Sequence, residues 1–227
     1  MTGEKYRLLE EYMRASMDDG AHGTDHVYRV LYIAMDIAAA EESVDYDVLI
    51  AACLLHDIAR REQGQGLVKC HAAAGAEKAR SFLLKNGWDE SFAEKVAHAI
   101  RAHRFSVVAE PQTIEAKILF DADKIDVTGA MGVARTLQYG GEMGEPLYTL
   151  LPDGMPSPGR VEEAPSFFQE YKRKLERLYG RFYTQRGLEL ALSRQQAAVA
   201  FRDALWAEVE AACAGQQLLN GVLEGGE

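Results

Sequence analysis

The sequence predicts an all-α bundle, and three observations carry that prediction. Apolar residues recur at spacings of three and four along most of the chain. Segments that alternate apolar with polar residues, as half-buried strands do, are scarce. The stretch "VLIAACLL", from Val48 to Leu55, is apolar without a break, the pattern of a helix buried on all sides.

The elements follow in order. The N-terminal "MTGEKYRLLEEYMR" is charged and amphipathic and does not read as a signal peptide. Val27, Val30, Leu31, Ala34, Ile37 and Ala38 mark a helix from about Thr24 to Glu41. Asp45 to Arg60 is the central helix. His71 to Asn86 is the next, with Gly87 as its C-terminal cap. Asp89 to His103 and Thr113 to Asp126 follow, and the C-terminal third predicts amphipathic helices over Ser166 to Tyr183 and Leu188 to Ala214. Five of the six prolines fall between Pro146 and Pro165, with Gly140, Gly141, Gly144, Gly154 and Gly159 in the same region. Residues 140–165 therefore read as a long loop, either a lid or binding loop or a plain surface excursion. The Gly-rich stretch 215–227 reads as a flexible tail.

Composition bounds the function. The 227 residues, 48% hydrophobic and 26% charged, suffice for one domain, expected over 1–214. A net charge of -10 argues against general binding to nucleic acid or a membrane surface. A phosphorylated substrate would need local cations or a metal. Cys53, Cys70 and Cys213 lack CxxC spacing, so a reducing, cytoplasmic setting is expected.

All six histidines precede Arg104. At about a hundred degrees per residue, His26 shares a face with Val30, Ile33 and Ile37. His71 shares one with Gly75, Ala79 and Phe82, and His103 one with Phe92, Val96, Ala99 and Ile100. His98 points the other way, and His22 lies in the loop before the first core helix. A lone histidine on an apolar face is more often a satisfied core residue than a ligand. Three such histidines from three helices, with His56 at the end of the buried one, can converge on one interior point. Asp57 sharpens this, because a buried carboxylate must be paired or bind metal. Arg60 and Arg61 are the nearby cations that could pair with it. Imidazole with carboxylate suits manganese, iron, zinc, nickel or cobalt, and magnesium is kept as a further candidate ion. In "ILFDADKID", periodicity leaves Asp121, Asp123 and Asp126 all open as ligands.

"TDHVYRV", "LLHDIAR" and "DADKID" together resemble the H…HD…D signature of the HD superfamily of metal-dependent phosphohydrolases. The resemblance extends through "HAAAGAEKA", "AIRAHRF" and "GAMGVARTLQYG", from about His22 to Tyr139. It implies a compact HD-domain bundle with its metal-binding core over about 20–130 and a helical C-terminal extension. It assigns His26, His56, Asp57 and Asp123 as metal ligands, choosing Asp123 because a small residue precedes it and a cation follows. It also implies one metal ion, or two where further histidines join; His71 and His103 stand in suitable places for a second metal or for substrate contact. The implied activity is hydrolysis of a phosphate ester or pyrophosphate bond, most simply of a nucleotide, by attack of a metal-bound water. Candidate catalytic residues are Asp57, to orient the water, and Arg29 and Lys124, to contact phosphate; Arg104 is a further cation. Asp126 or His103 would protonate the leaving group, and Tyr139 and Tyr148 are candidates for a base pocket. Two alternatives remain: a two-iron oxygenase of the same superfamily and a non-catalytic metal- or nucleotide-binding protein. The C-terminal helices either form a homodimer interface or complete the bundle.

Overall fold

A computed structural model describes residues 1–17, 23–104, 109–160 and 164–224. The fold is all-α, and among the described residues the only β pairing is one isolated antiparallel bridge, Leu150 with Pro156. His22 lies outside the described residues. The chain groups into two compact units, Met1–Asp126 with Phe182–Leu190, and Val127–Arg181 with Ala191–Glu227.

The first unit contains α1 (Gly3–Ser16), α2 (Thr24–Ala38), α3 (Tyr46–Leu55), α4 (Arg60–Gly64), α5 (His71–Lys85), α6 (Glu90–Ala102) and α7 (Ile114–Ile125). Asp45 caps α3 by accepting from the Val48 amide at 3.2 Å, and the Asp45 amide donates to the buried Glu115 of α7 at 2.8 Å. Seven of the ten α3 residues are buried, and α3 packs against α1, α2, α6 and α7. This central position is what the unbroken apolar run requires. It also places whatever follows Leu55 inside the unit.

Asp121 closes the first unit at the start of α10 (Gln185–Glu224). Its carboxylate accepts from the Tyr183 amide (3.0 Å), the Thr184 amide (2.8 Å) and the Thr184 hydroxyl (2.7 Å). The Thr184 hydroxyl in turn accepts from the Gly187 amide at 3.0 Å, an N-terminal cap. A Cβ on Gly187 would stand 2.6 Å from Asp121 Oδ2 and 2.7 Å from Thr184 Oγ1. Gly187→Ala, ordinarily favourable in a helix, is therefore expected to lower stability by about 1–3 kcal/mol, read as a shifted urea midpoint.

The second unit contains α8 (Gly129–Met143), α9 (Phe167–Arg173), a 3-10 turn (Leu175–Gly180) and most of α10. Its core gathers Val133, Phe167, Phe168, Tyr171, Leu175, Ala198 and Val209. Three predicted boundaries differ here. Helix α8 runs into the predicted loop and ends at Gly144, which takes a left-handed conformation (φ 70°). Glycines weaken its helical signal, yet packing demands one of them, since a Cβ on Gly132 would meet the Val127 carbonyl at 2.2 Å. The predicted helix Ser166 to Tyr183 divides after Arg173, and Leu175 and Leu178, three apart, fit the tighter 3-10 turn. Helix α10 continues past Ala214 to Glu224, tolerating Gly215 and Gly221.

Candidate metal centre

Five helix ends meet at one buried point of the first unit. The last turns of α3, α6 and α7 bring His56, His103 and Asp123, and the first turns of α2 and α5 bring His26 and His71. Asp57 follows directly on α3. All four histidines and Asp57 are buried, with 2% exposure or less.

The imidazoles are held by their Nδ1 atoms. His56 is the residue after α3, where the last carbonyls lack helical partners, and its Nδ1–H donates to the Cys53 carbonyl at 2.8 Å. His103 repeats the device after α6, donating to the Ile100 carbonyl at 2.6 Å. His26 Nδ1 lies 2.8 Å from Asp126 Oδ2. His71 Nδ1 lies 2.6 Å from Gln63 Oε1, an amide orientation fixed by the bond from Gln63 Nε2 to the Lys69 carbonyl at 3.0 Å. Each ring thus carries its proton on Nδ1 and turns the Nε2 lone pair inward.

Those lone pairs face each other. His26 and His56 Nε2 are 3.3 Å apart, and so are His71 and His103 Nε2. Asp57 stands between the two pairs. Its Oδ2 lies 3.7 Å from His26 Nε2 and 3.8 Å from His56 Nε2, and its Oδ1 lies 3.3 Å from His71 Nε2 and 3.7 Å from His103 Nε2. Neither oxygen has a hydrogen-bond donor, although both are buried. Asp123 Oδ1 completes the first set, 3.5 Å from His26 Nε2. Two sets result, His26, His56 and Asp123, and Asp57, His71 and His103, each with ligand atoms within 4.8 Å of one another. Inward lone pairs and bare carboxylate oxygens repel unless a cation lies among them, and imidazole with carboxylate fits a divalent metal.

Protonation follows the geometry. Burial lowers His56 to about 4 and His71 to about 2, so both are neutral near pH 7. Burial works against the charge on Asp57, yet Arg60 and His56 hold it well below the usual carboxylate range. Asp123 is half-buried, and although desolvation works against its charge, Lys124 with the facing imidazoles holds it low.

The structure brings His26, His56, Asp57, Asp123, His71 and His103 together. Arg29 and Lys124 are committed to neighbours. Arg29 donates to both oxygens of Asp126, at 2.7 and 3.1 Å, and to Asp25. Lys124 donates to Asp123 Oδ2 at 2.6 Å and to the His103 carbonyl at 3.1 Å. Each orients a carboxylate in place of standing free for phosphate. Asp126, buried between His26 and Arg29, accepts from both, and His103 gives its Nδ1–H to the Ile100 carbonyl. Tyr139 and Tyr148 belong to the second unit, Tyr139 exposed and Tyr148 packed on that unit's core. Sequence reasoning missed Gln63, whose role depends on a turn that brings it back onto His71.

The described residues contain no helix long and apolar enough to cross a membrane. The HD domain family model matches residues 23–128. A structure of a predicted HD superfamily hydrolase from an uncultured Thermotogales bacterium is 30% identical, with 90% of this chain and 91% of that one aligned at a TM-score of 0.57. A Lactobacillus plantarum protein of 23% identity shares the fold over 92% of this chain and 98% of its own, with a TM-score of 0.72. Bacillus subtilis YpgQ, an uncharacterized protein, is 27% identical over 146 residues, 62% of this chain and 68% of YpgQ. Its structure in complex with ADP aligns at a TM-score of 0.69, covering 90% of this chain and 97% of YpgQ at 22% identity.

Proposed function

The chain belongs to the HD-domain superfamily, and on that footing we propose that it is a divalent-metal-dependent phosphohydrolase with a two-ion site. His26, His56, Asp57 and Asp123 would hold one ion, and Asp57, His71 and His103 the other. The observation that carries the reading is Asp57, whose two buried oxygens lack donors while each faces its own pair of imidazole nitrogens. When bound, such ions lower the pKa of a coordinated water and polarise a phosphoryl oxygen.

The chain's own residues prepare that chemistry. Cys53, Ile100, Gln63 and Asp126 fix the four ring tautomers, which keeps the nucleophilic Nε2 atoms inward. Arg29 fixes Asp126, and Lys124 fixes Asp123. Asp57, turned toward both sets, is placed to orient the attacking water.

A nucleotide is the substrate class proposed. Its support is the superfamily's phosphoester chemistry and the ADP held by YpgQ, a relative of the same fold. The test is release of phosphate or pyrophosphate from a nucleotide panel by manganese-loaded protein. Metal-dependent release that vanishes with chelator is the expected result. Dioxygen consumption by iron-loaded protein with no phosphate release, or tight nucleotide binding without turnover, would overturn the reading.

A further inference from the structure

Among the described residues, Arg29, Lys124 and Arg60 pair with the carboxylates in and beside the cluster, and the first two are already spent. Arg29 is held by Asp126 and Asp25, and Lys124 by Asp123 and the His103 carbonyl. Arg60 differs. Its Nε is a buried donor with no hydrogen-bond partner, 3.4 Å from Asp57 Oδ2 but not bonded to it. Its Nη1 lies 3.1 Å from His71 Nδ1, but that nitrogen's hydrogen is given to Gln63 Oε1, so no lone pair is available to Arg60 there. A buried guanidinium N–H without an acceptor is costly, and the fork of donors matches phosphate geometry. The side chain remains 34% exposed, so the guanidinium reaches from Asp57 to solvent, the side from which an anion arrives.

We infer that Arg60 is the residue that binds the substrate's phosphoryl oxygens, above the Asp57 carboxylate that joins the two ligand sets. The inference rests on the phosphohydrolase reading and names the side chain through which this site recognises its substrate. It moves the phosphate contact from Arg29 and Lys124, chosen by their closeness in sequence to ligands, to the cation with a free donor.

The test is calorimetric titration of manganese-loaded wild type, Arg60→Gln and Arg60→Lys with inorganic pyrophosphate and with inorganic phosphate, with metal counted in each protein. Arg60→Gln is expected to keep the wild-type metal content and bind pyrophosphate at least about tenfold more weakly, the effect of one lost charge-assisted hydrogen bond. Arg60→Lys should regain part of the affinity, since it restores the charge without the fork. Unchanged affinity in Arg60→Gln would overturn the inference alone, and so would a loss that simply tracks lost metal. Wild-type protein that holds metal yet binds neither anion would overturn both the inference and the phosphohydrolase reading.

Discussion

Asp57→Asn is expected to abolish metal-dependent hydrolysis and to leave the helical circular dichroism spectrum intact. The first effect follows from position. Both carboxylate oxygens face imidazole nitrogens, so the amide offers one ligand atom where the carboxylate offers two, and no charge. Removing several kcal/mol of metal-centred stabilisation corresponds to a loss of about a thousandfold or more in kcat/KM. The second effect follows from place, since α3 ends at Leu55 and Asp57 lies outside its hydrogen-bonded turns. Retained hydrolysis by metal-replete Asp57→Asn protein with an unchanged spectrum would contradict the assignment.

Asp126→Asn is expected to weaken metal binding by about tenfold to a hundredfold while the fold persists. Arg29 Nε donates to Asp126 Oδ1 at 2.7 Å, while Oδ2 meets His26 Nδ1 at 2.8 Å. In the variant the amide oxygen would stay with Arg29 Nε, leaving the NH2 group facing His26. The ring must then carry its proton on Nε2, pointing it at the cluster, where it blocks the ligand position. Competition with a coloured chelator measures the loss, and an unchanged circular dichroism spectrum excludes unfolding. Unaltered metal affinity would show that Asp126 does not set the His26 tautomer.

These two carboxylates mark where the sequence was legible and where it was not. His26, His71 and His103 stood out because a polar ring on an apolar face is conspicuous at helical spacing, and all three are buried at one point. His56 and Asp57 stood out because they end a run that only a central helix could accommodate. The three aspartates of "FDADKID" could not be separated by periodicity, since their roles depend on partners far along the chain. Asp121 meets Thr184, 63 residues on, and serves as a structural cap. Asp126 meets Arg29, 97 residues back. Arg60 shows the same limit in reverse. Its spacing suggested a partner for Asp57, and the structure places it there, but only the filled positions around Arg29 and Lys124 reveal it as the cation with a donor left over. The helices from Ser166 onward are legible with shifted ends, because glycine and 3-10 geometry alter boundaries without altering the apolar spacing, whereas the glycine-rich α8 is not legible as a helix.

The most direct test is a count of metal per chain by elemental analysis, on protein purified without added metal or chelator and again after saturation with manganese. Two equivalents are expected at saturation, falling to one or fewer in Asp57→Asn. A wild-type chain that takes up no manganese, iron or zinc, or that saturates at one equivalent, would contradict the two-ion site.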